Sequence, residues 1–141
     1  NKSLKIFLKN STKIDYMSNT LYRTYPRGLD FQILKSECLL KSLSITKSLD
    51  DLEHVTPFIY KNPKQFAIKQ LKDKEDYSQL RLTVDTQEDF NLVKKILEYF
   101  KKKGSLYTFD YKDILKLLKK NPDWVEINTH IKQKEIFFEK I

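Results

Sequence analysis

One change of period constrains this chain more than any other feature. In "LRLTVDTQEDFNLVKKILEYF", Leu80, Leu82 and Val84 alternate with Arg81 and Thr83, the period of two expected of a strand. From Phe90 onward the apolar residues Phe90, Val93, Leu97 and Phe100 recur at helical spacing. Thr86 with Asp89 three residues later resembles a capping box, with Asp in the usual Glu position. Asp89 is therefore expected to serve the helix start, and its replacement by Asn to affect stability mildly. The junction also carries Asp85, at the carboxyl end of the predicted strand, which is the edge where open α/β sheets bind ligands. These residues alone leave two readings of Asp85 open, a helix cap or a carboxylate of a ligand site.

The rest of the chain follows the same alternation. "SLKIFLKN" reads as an amphipathic helix with Leu4, Phe7 and Leu8 on one side, and a short strand is expected from Ile14 to Ser18. "TLYRTYPRGLD" is a loop in which Pro26 and Gly28 supply turn chemistry. "LDFQIL" alternates as a strand, and "SECLLKSLSIT" continues as a helix with Ser36 as its cap. "SLDDLEHVTPFIYKNP" is helical, opened by Ser48 with Asp51 at the third position and kinked or split by Pro57. "FAIKQL" is a strand; Gly104 ends the helix after Asp85. "SLYTFDYKDILKLLKKNP" holds an extended piece and a helix through Leu115 and Leu118, stopped by Pro122, and "DWVEIN" forms a last short helix. Helices alternating with short strands argue for a layered α/β fold.

At 141 residues the chain is the size of a single domain, able to bury a core. A net charge of +8 invites an anionic partner, but nearly all of it is lysine; the arginines are Arg23, Arg27 and Arg81. Lysines interleaved with apolar residues on helix faces are solvated surface, so no nucleic-acid partner is expected. No run approaches the ~18 apolar residues of a membrane span, and no signal-peptide pattern opens the chain. The lone Cys38 lies among leucines and reads as a buried thiol; the expected setting is cytoplasmic and reducing. Two glycines are too few for either glycine-rich phosphate loop, and one cysteine with His54 and His130 does not make a zinc site.

Three stretches in this order and spacing, "DYMSNTLYRTYPRGLDFQIL", "LEHVTPFIYKNP" and "LRLTVDTQEDFNLV", carry a resemblance, to which the ending "LLKKNPDWVEIN" adds. The chain resembles the C-terminal half of the cytidylyltransferase family of spore coat polysaccharide biosynthesis protein F, related to the CMP-Kdo synthetases, over roughly Ile6 to Lys132. The resemblance implies the C-terminal half of a Rossmann-like nucleotidyltransferase sandwich, with residues 1–141 as part of one cytidylyltransferase domain whose nucleotide-binding half is not in this sequence. It implies an enzyme that transfers CMP from CTP to a sugar or sugar acid, with Mg²⁺ as cofactor, for surface polysaccharide. Asp85 corresponds to the first aspartate of the family's "VDTPEDL" motif and is implied to bind the metal; Gln87 departs from the motif's proline.

Asn19, Arg23 and Asp30 fall in a segment similar to the family's sugar-side wall, and His54 with Thr56 matches "EHVTPYI". Each has a plainer reading, a surface ion pair for Arg23 and a buried structural histidine for His54. Tyr25, Phe58 and Tyr60 are expected in the core. This half alone is expected not to turn over CTP, and to form a homo-oligomer through an uncovered edge strand or the apolar tail "EIFFEKI". The rival is a non-catalytic binding or assembly module of α/β fold.

Overall fold

The computed structural model describes residues 2–46 and 48–132, which sort into two compact units. The first comprises residues 2–24 and 30–75, the second 25–29 and 76–132. The predicted apolar tail contact, "EIFFEKI", lies outside the described residues.

The first unit contains α1 (Lys2–Lys9), β1 (Tyr16–Ser18), β2 (Gln32–Leu34), α2 (Ser36–Ile45), α3 (Leu49–His54), α4 (Pro57–Lys61) and β3 (Ile68–Gln70). The strands form a mixed sheet in the order β2-β1-β3. β1 pairs antiparallel with β2, Met17 opposite Ile33, and parallel with β3, Met17 opposite Lys69. Period-two alternation sends successive residues of β1 into opposite layers. Tyr16 packs with Cys38, Ile59, Tyr60 and Phe66, the side of α2 and α4. Met17 packs with Phe7 and Ile14, the side of α1. All three residues of β1 are buried, so the expected α/β layering is the observed one.

Asp15 ties the three strands at one end. Its carboxylate accepts from the Ala67 amide at 2.8 Å and from Lys35 Nζ at 2.7 Å. The Ala67 N–H foremost, then Lys35, hold its carboxyl below the ordinary aspartate value. Ser48 caps α3 as expected, accepting from the Asp51 amide, and Pro57 becomes the first residue of a separate helix. Between these helices Val55 has φ 68° and ψ −48°, and the Thr56 amide donates to the His54 carbonyl at 2.8 Å. This is a γ-turn of the strained hand, on a β-branched residue for which positive φ is least favourable.

Two expectations are corrected in this unit. Ser36 lies inside α2; the cap position is Lys35, which makes no side-chain cap bond. On α1 Phe7 is buried, whereas Leu4 and Leu8 are exposed.

The second unit is mainly helical, with α5 (Gln87–Lys102), α6 (Tyr111–Lys120) and α7 (Pro122–Thr129). Thr86 and Asp89 form the predicted capping box on α5. Gly104, at φ 68°, follows the helix end. Leu92, Ile96 and Phe100 of α5 pack with Leu117 and Leu118 of α6, and Phe100 stacks on Phe109 at 4.1 Å. The buried face only partly matches the one expected: Phe100 is buried and Val93 half-buried, whereas Phe90 and Leu97 are exposed and Asp89 is buried.

The predicted strand before α5 is reduced to one parallel bridge, Arg27 with Arg81. Arg27 donates to the Leu80 carbonyl at 2.9 Å and accepts from the Leu82 amide at 2.7 Å. On the Arg27 side Gly28 turns away at φ 93° and the Leu29 amide bonds back to the Pro26 carbonyl at 3.3 Å, so the ladder stops after one residue. Gly28 also lies against the Leu82 backbone, where an added Cβ would meet the carbonyl oxygen at 2.5 Å. The predicted extended piece after Gly104 is a turn, with the Ser105 carbonyl accepting from the Thr108 and Phe109 amides.

Candidate functional site

Asp85 lies one residue before the cap of α5, with its side chain 63% exposed. Its Oδ2 accepts from Nη2 of Arg81 at 2.9 Å. Arg81 is itself only 8% exposed, while its neighbours Leu80 and Leu82 pack on the helical core. Asp89, fully buried, accepts from Arg81 Nε at 2.9 Å and from Nη2 at 2.8 Å, a bidentate pair. Asn128 of α7, also buried, donates Nδ2 to Asp89 Oδ1 at 2.8 Å and to the Arg81 carbonyl at 3.0 Å. Oδ2 of Asp89 further accepts from Thr83 Oγ1 and from the amides of Asp85 and Thr86.

The electrostatics follow from this arrangement. The Arg81 guanidinium first, and then Asn128 and the Asp85 N–H, hold the Asp89 carboxyl well below the usual carboxylate range against the opposing effect of burial. Asp89 in turn raises the pKa of Arg81. Asp89 thus does far more than cap a helix, correcting the expectation of a mild role. Neither Arg81 nor Asn128 was anticipated as a site residue. The one available signal was an arginine flanked by leucines in a chain whose cations are nearly all lysine, since a rigid fork is the group of choice for buried pairing.

The other candidates lie in the first unit. Arg23 grips Asp30 through both ends of its fork, Nη1 to Oδ1 and Nη2 to Oδ2, the latter at 2.9 Å. Asn19, buried, accepts the Phe31 amide at 2.9 Å, which brings it beside the segment carrying Asp30. His54 ends α3 and is exposed, so the buried structural reading does not hold. Its neighbour Thr56 is buried at the start of α4. Phe58 packs against Phe66 at 6.3 Å and Tyr60 lies in the core with Tyr16, while in the second unit Tyr25 packs against Tyr111 at 5.8 Å. Cys38 is buried, and burial pushes its thiol pKa up, which fits packing and not nucleophilic chemistry.

Among the described residues no three carboxylate, histidine or cysteine groups come together as a metal cluster. Asp85 fits a shared site in which this chain supplies one hard oxygen ligand, since Mg²⁺ commonly takes one or two carboxylates with phosphate and water oxygens completing the shell. No described helix is long and apolar enough to cross a membrane.

No family model matches the chain. It is 33% identical over 135 residues to an uncharacterized protein of Methanocaldococcus jannaschii, covering 94% of this chain and 52% of that protein. It is 29% identical over 102 residues to the spore coat polysaccharide biosynthesis protein SpsF of Bacillus subtilis, covering 70% of this chain and 41% of that protein. Among solved structures, a cytidylyltransferase from Leptospira borgpetersenii superposes with a TM-score of 0.80 at 30% identity, over 94% of this chain and 52% of that one. The chain spans about half the length of the relatives it matches. It is therefore a homologue of SpsF and of a cytidylyltransferase, sharing the latter's nucleotidyltransferase-like α/β fold over about half its length.

Proposed function

We propose that this chain is the part of a cytidylyltransferase that supplies one metal-binding carboxylate, Asp85. The whole enzyme would transfer CMP from CTP to a sugar or sugar acid in surface polysaccharide biosynthesis. An acceptor hydroxyl attacks the α-phosphorus, the bond from that phosphorus to the bridging oxygen breaks, and pyrophosphate leaves. The reading is supported by the leptospiral relative, a cytidylyltransferase, and by SpsF, a polysaccharide biosynthesis protein. The observation that carries it here is an exposed carboxylate anchored by a buried ion pair at the start of α5.

Bound at Asp85, Mg²⁺ would neutralise charge on the triphosphate as pyrophosphate departs. Asp85 offers a negatively charged oxygen, and Arg81 fixes where that oxygen points. In the first unit we assign sugar-side contacts to Asn19, Arg23, Asp30 and His54. Asp30 takes both ends of the Arg23 fork, so a carboxylate or phosphate oxygen of the acceptor would meet the remaining N–H groups of that guanidinium or displace Asp30 from it.

The test is Asp85→Asn in the full-length enzyme. Asp85 lies outside the capping box of Thr86 and Asp89, its side chain is exposed, and Arg81 keeps its buried partner, so the melting temperature should barely move. CTP-dependent pyrophosphate release should fall by ~100-fold or more, with partial recovery in excess Mg²⁺. Equal activity of the variant and wild type at limiting Mg²⁺ would remove Asp85 from the site.

A further inference from the structure

A capping box requires only that Asp89 reach back to the amide of Thr86. The rest of the network goes unexplained by that role. A buried guanidinium is costly unless paired, and here both carboxylate oxygens of Asp89 take it in a rigid fork. Asn128, arriving from α7, fixes the orientation of Asp89 and also binds the Arg81 backbone. Every one of these groups is buried, and Nη2 reaches outward to the exposed carboxylate of Asp85.

We propose that Arg81 is the positioning residue for Asp85, with Asp89 and Asn128 as its anchor. Two properties follow from the geometry. A guanidinium clamped on one edge cannot swing, so the Asp85 carboxylate it holds is confined to one rotamer. A lone arginine beside Asp85 would also cancel the charge a cation needs. Asp89 balances Arg81 from the buried side, so the three groups together keep one net negative charge, presented at Asp85. The inference rests on the reading of Asp85 as a cation ligand, but its structural half can be tested without a metal.

The experiment uses the 141-residue chain labelled with ¹⁵N and ¹³C. Three-bond couplings to the Asp85 carboxyl carbon report its χ1 populations, and Mn²⁺ titration reports broadening of the amides around it. In the wild type one Asp85 rotamer should dominate. Arg81→Lys keeps the charge but loses the fork, so Asp85 should average over the staggered wells and its Mn²⁺ affinity should fall about 10-fold or more, the usual effect of losing a partner that orients a ligand. Asp89→Asn, which leaves Arg81 to neutralise Asp85, should weaken Mn²⁺ binding at least as much. An Asp85 side chain already averaged in the wild type would overturn the proposal, whether or not the variants fold. So would a folded Arg81→Lys variant with Asp85 still in one rotamer. A single rotamer in the wild type without Mn²⁺ broadening near Asp85 would support the positioning role and count against the metal role of Asp85 instead.

Discussion

Replacing Asp89 by Asn isolates the buried network from the site it supports. The side chain is fully buried and accepts from Arg81 twice, from Asn128, from Thr83 and from two backbone amides. An amide of the same shape turns one acceptor into a donor, so an N–H must face the Arg81 fork in either orientation, together with Asn128 or with the amides at the start of α5. It also leaves the guanidinium buried beside a neutral group. Breaking a buried pair in this way costs about 3–5 kcal/mol. For a chain of this size that corresponds to a fall in melting temperature of roughly 10–15 °C.

The pH dependence has a definite sign. The Asp89 pKa is depressed in the folded chain, so its contribution is fully present above the ordinary value of 3.8 and fades as pH falls toward the folded-state value. Thermal melts followed by circular dichroism should therefore show the largest gap between wild type and variant near neutral pH, narrowing below about pH 4. A variant melting within ~3 °C of wild type at pH 7 would refute the reasoning, as would a gap that widens on acidification.

Gly28→Ala should destabilise the second unit by roughly 1–3 kcal/mol in urea unfolding, because the position has φ 93° and its new Cβ would collide with the Leu82 carbonyl; an effect below about 0.5 kcal/mol would show that the turn can relax. Arg23→Ala removes a partly exposed ion pair and should cost no more than about 1 kcal/mol, while weakening sugar-side binding in the full-length enzyme. Unchanged affinity for the acceptor sugar would return Arg23 to a surface ion pair.

What could be read from the residues was mostly what neighbours in the chain decide. Ser48, Thr86, Pro57, Pro122 and Gly104 each act within a turn of themselves, and each punctuates the chain where expected. The resemblance singled out Asp85 for the same reason, since its motif is local. The inward turn of Arg81 and Asp89 was not legible because its cause lies 39 residues downstream of Asp89, in Asn128. With that amide in place the polar edge of α5 is buried while Phe90 and Leu97 lie at the surface; apolar periodicity alone places Phe100 correctly and those two wrongly. The strand before α5 failed similarly, because pairing depends on whether a partner can continue the ladder, and the turn at Gly28 takes Leu29 out of reach. Val55 was least visible of all, a β-branched residue held where such residues rarely go.

The central place of β1 has a consequence for the order in which the first unit assembles. Its antiparallel partner, Gln32–Leu34, closes a loop of roughly 14 residues, whereas its parallel partner, Ile68–Gln70, closes one of roughly 50, which by chain entropy costs about 1 kcal/mol more. During synthesis the β1–β2 pair can form as soon as Leu34 emerges, but the other edge of β1 stays open until Gln70 follows, when Ala67 can also reach Asp15. Until then the open edge presents unpaired N–H and C=O groups that another chain could pair with. Pulse-labelling hydrogen exchange during refolding should protect the β1–β2 amides before those of β3, and simultaneous protection of both would show that the sheet instead condenses in one step around the helices.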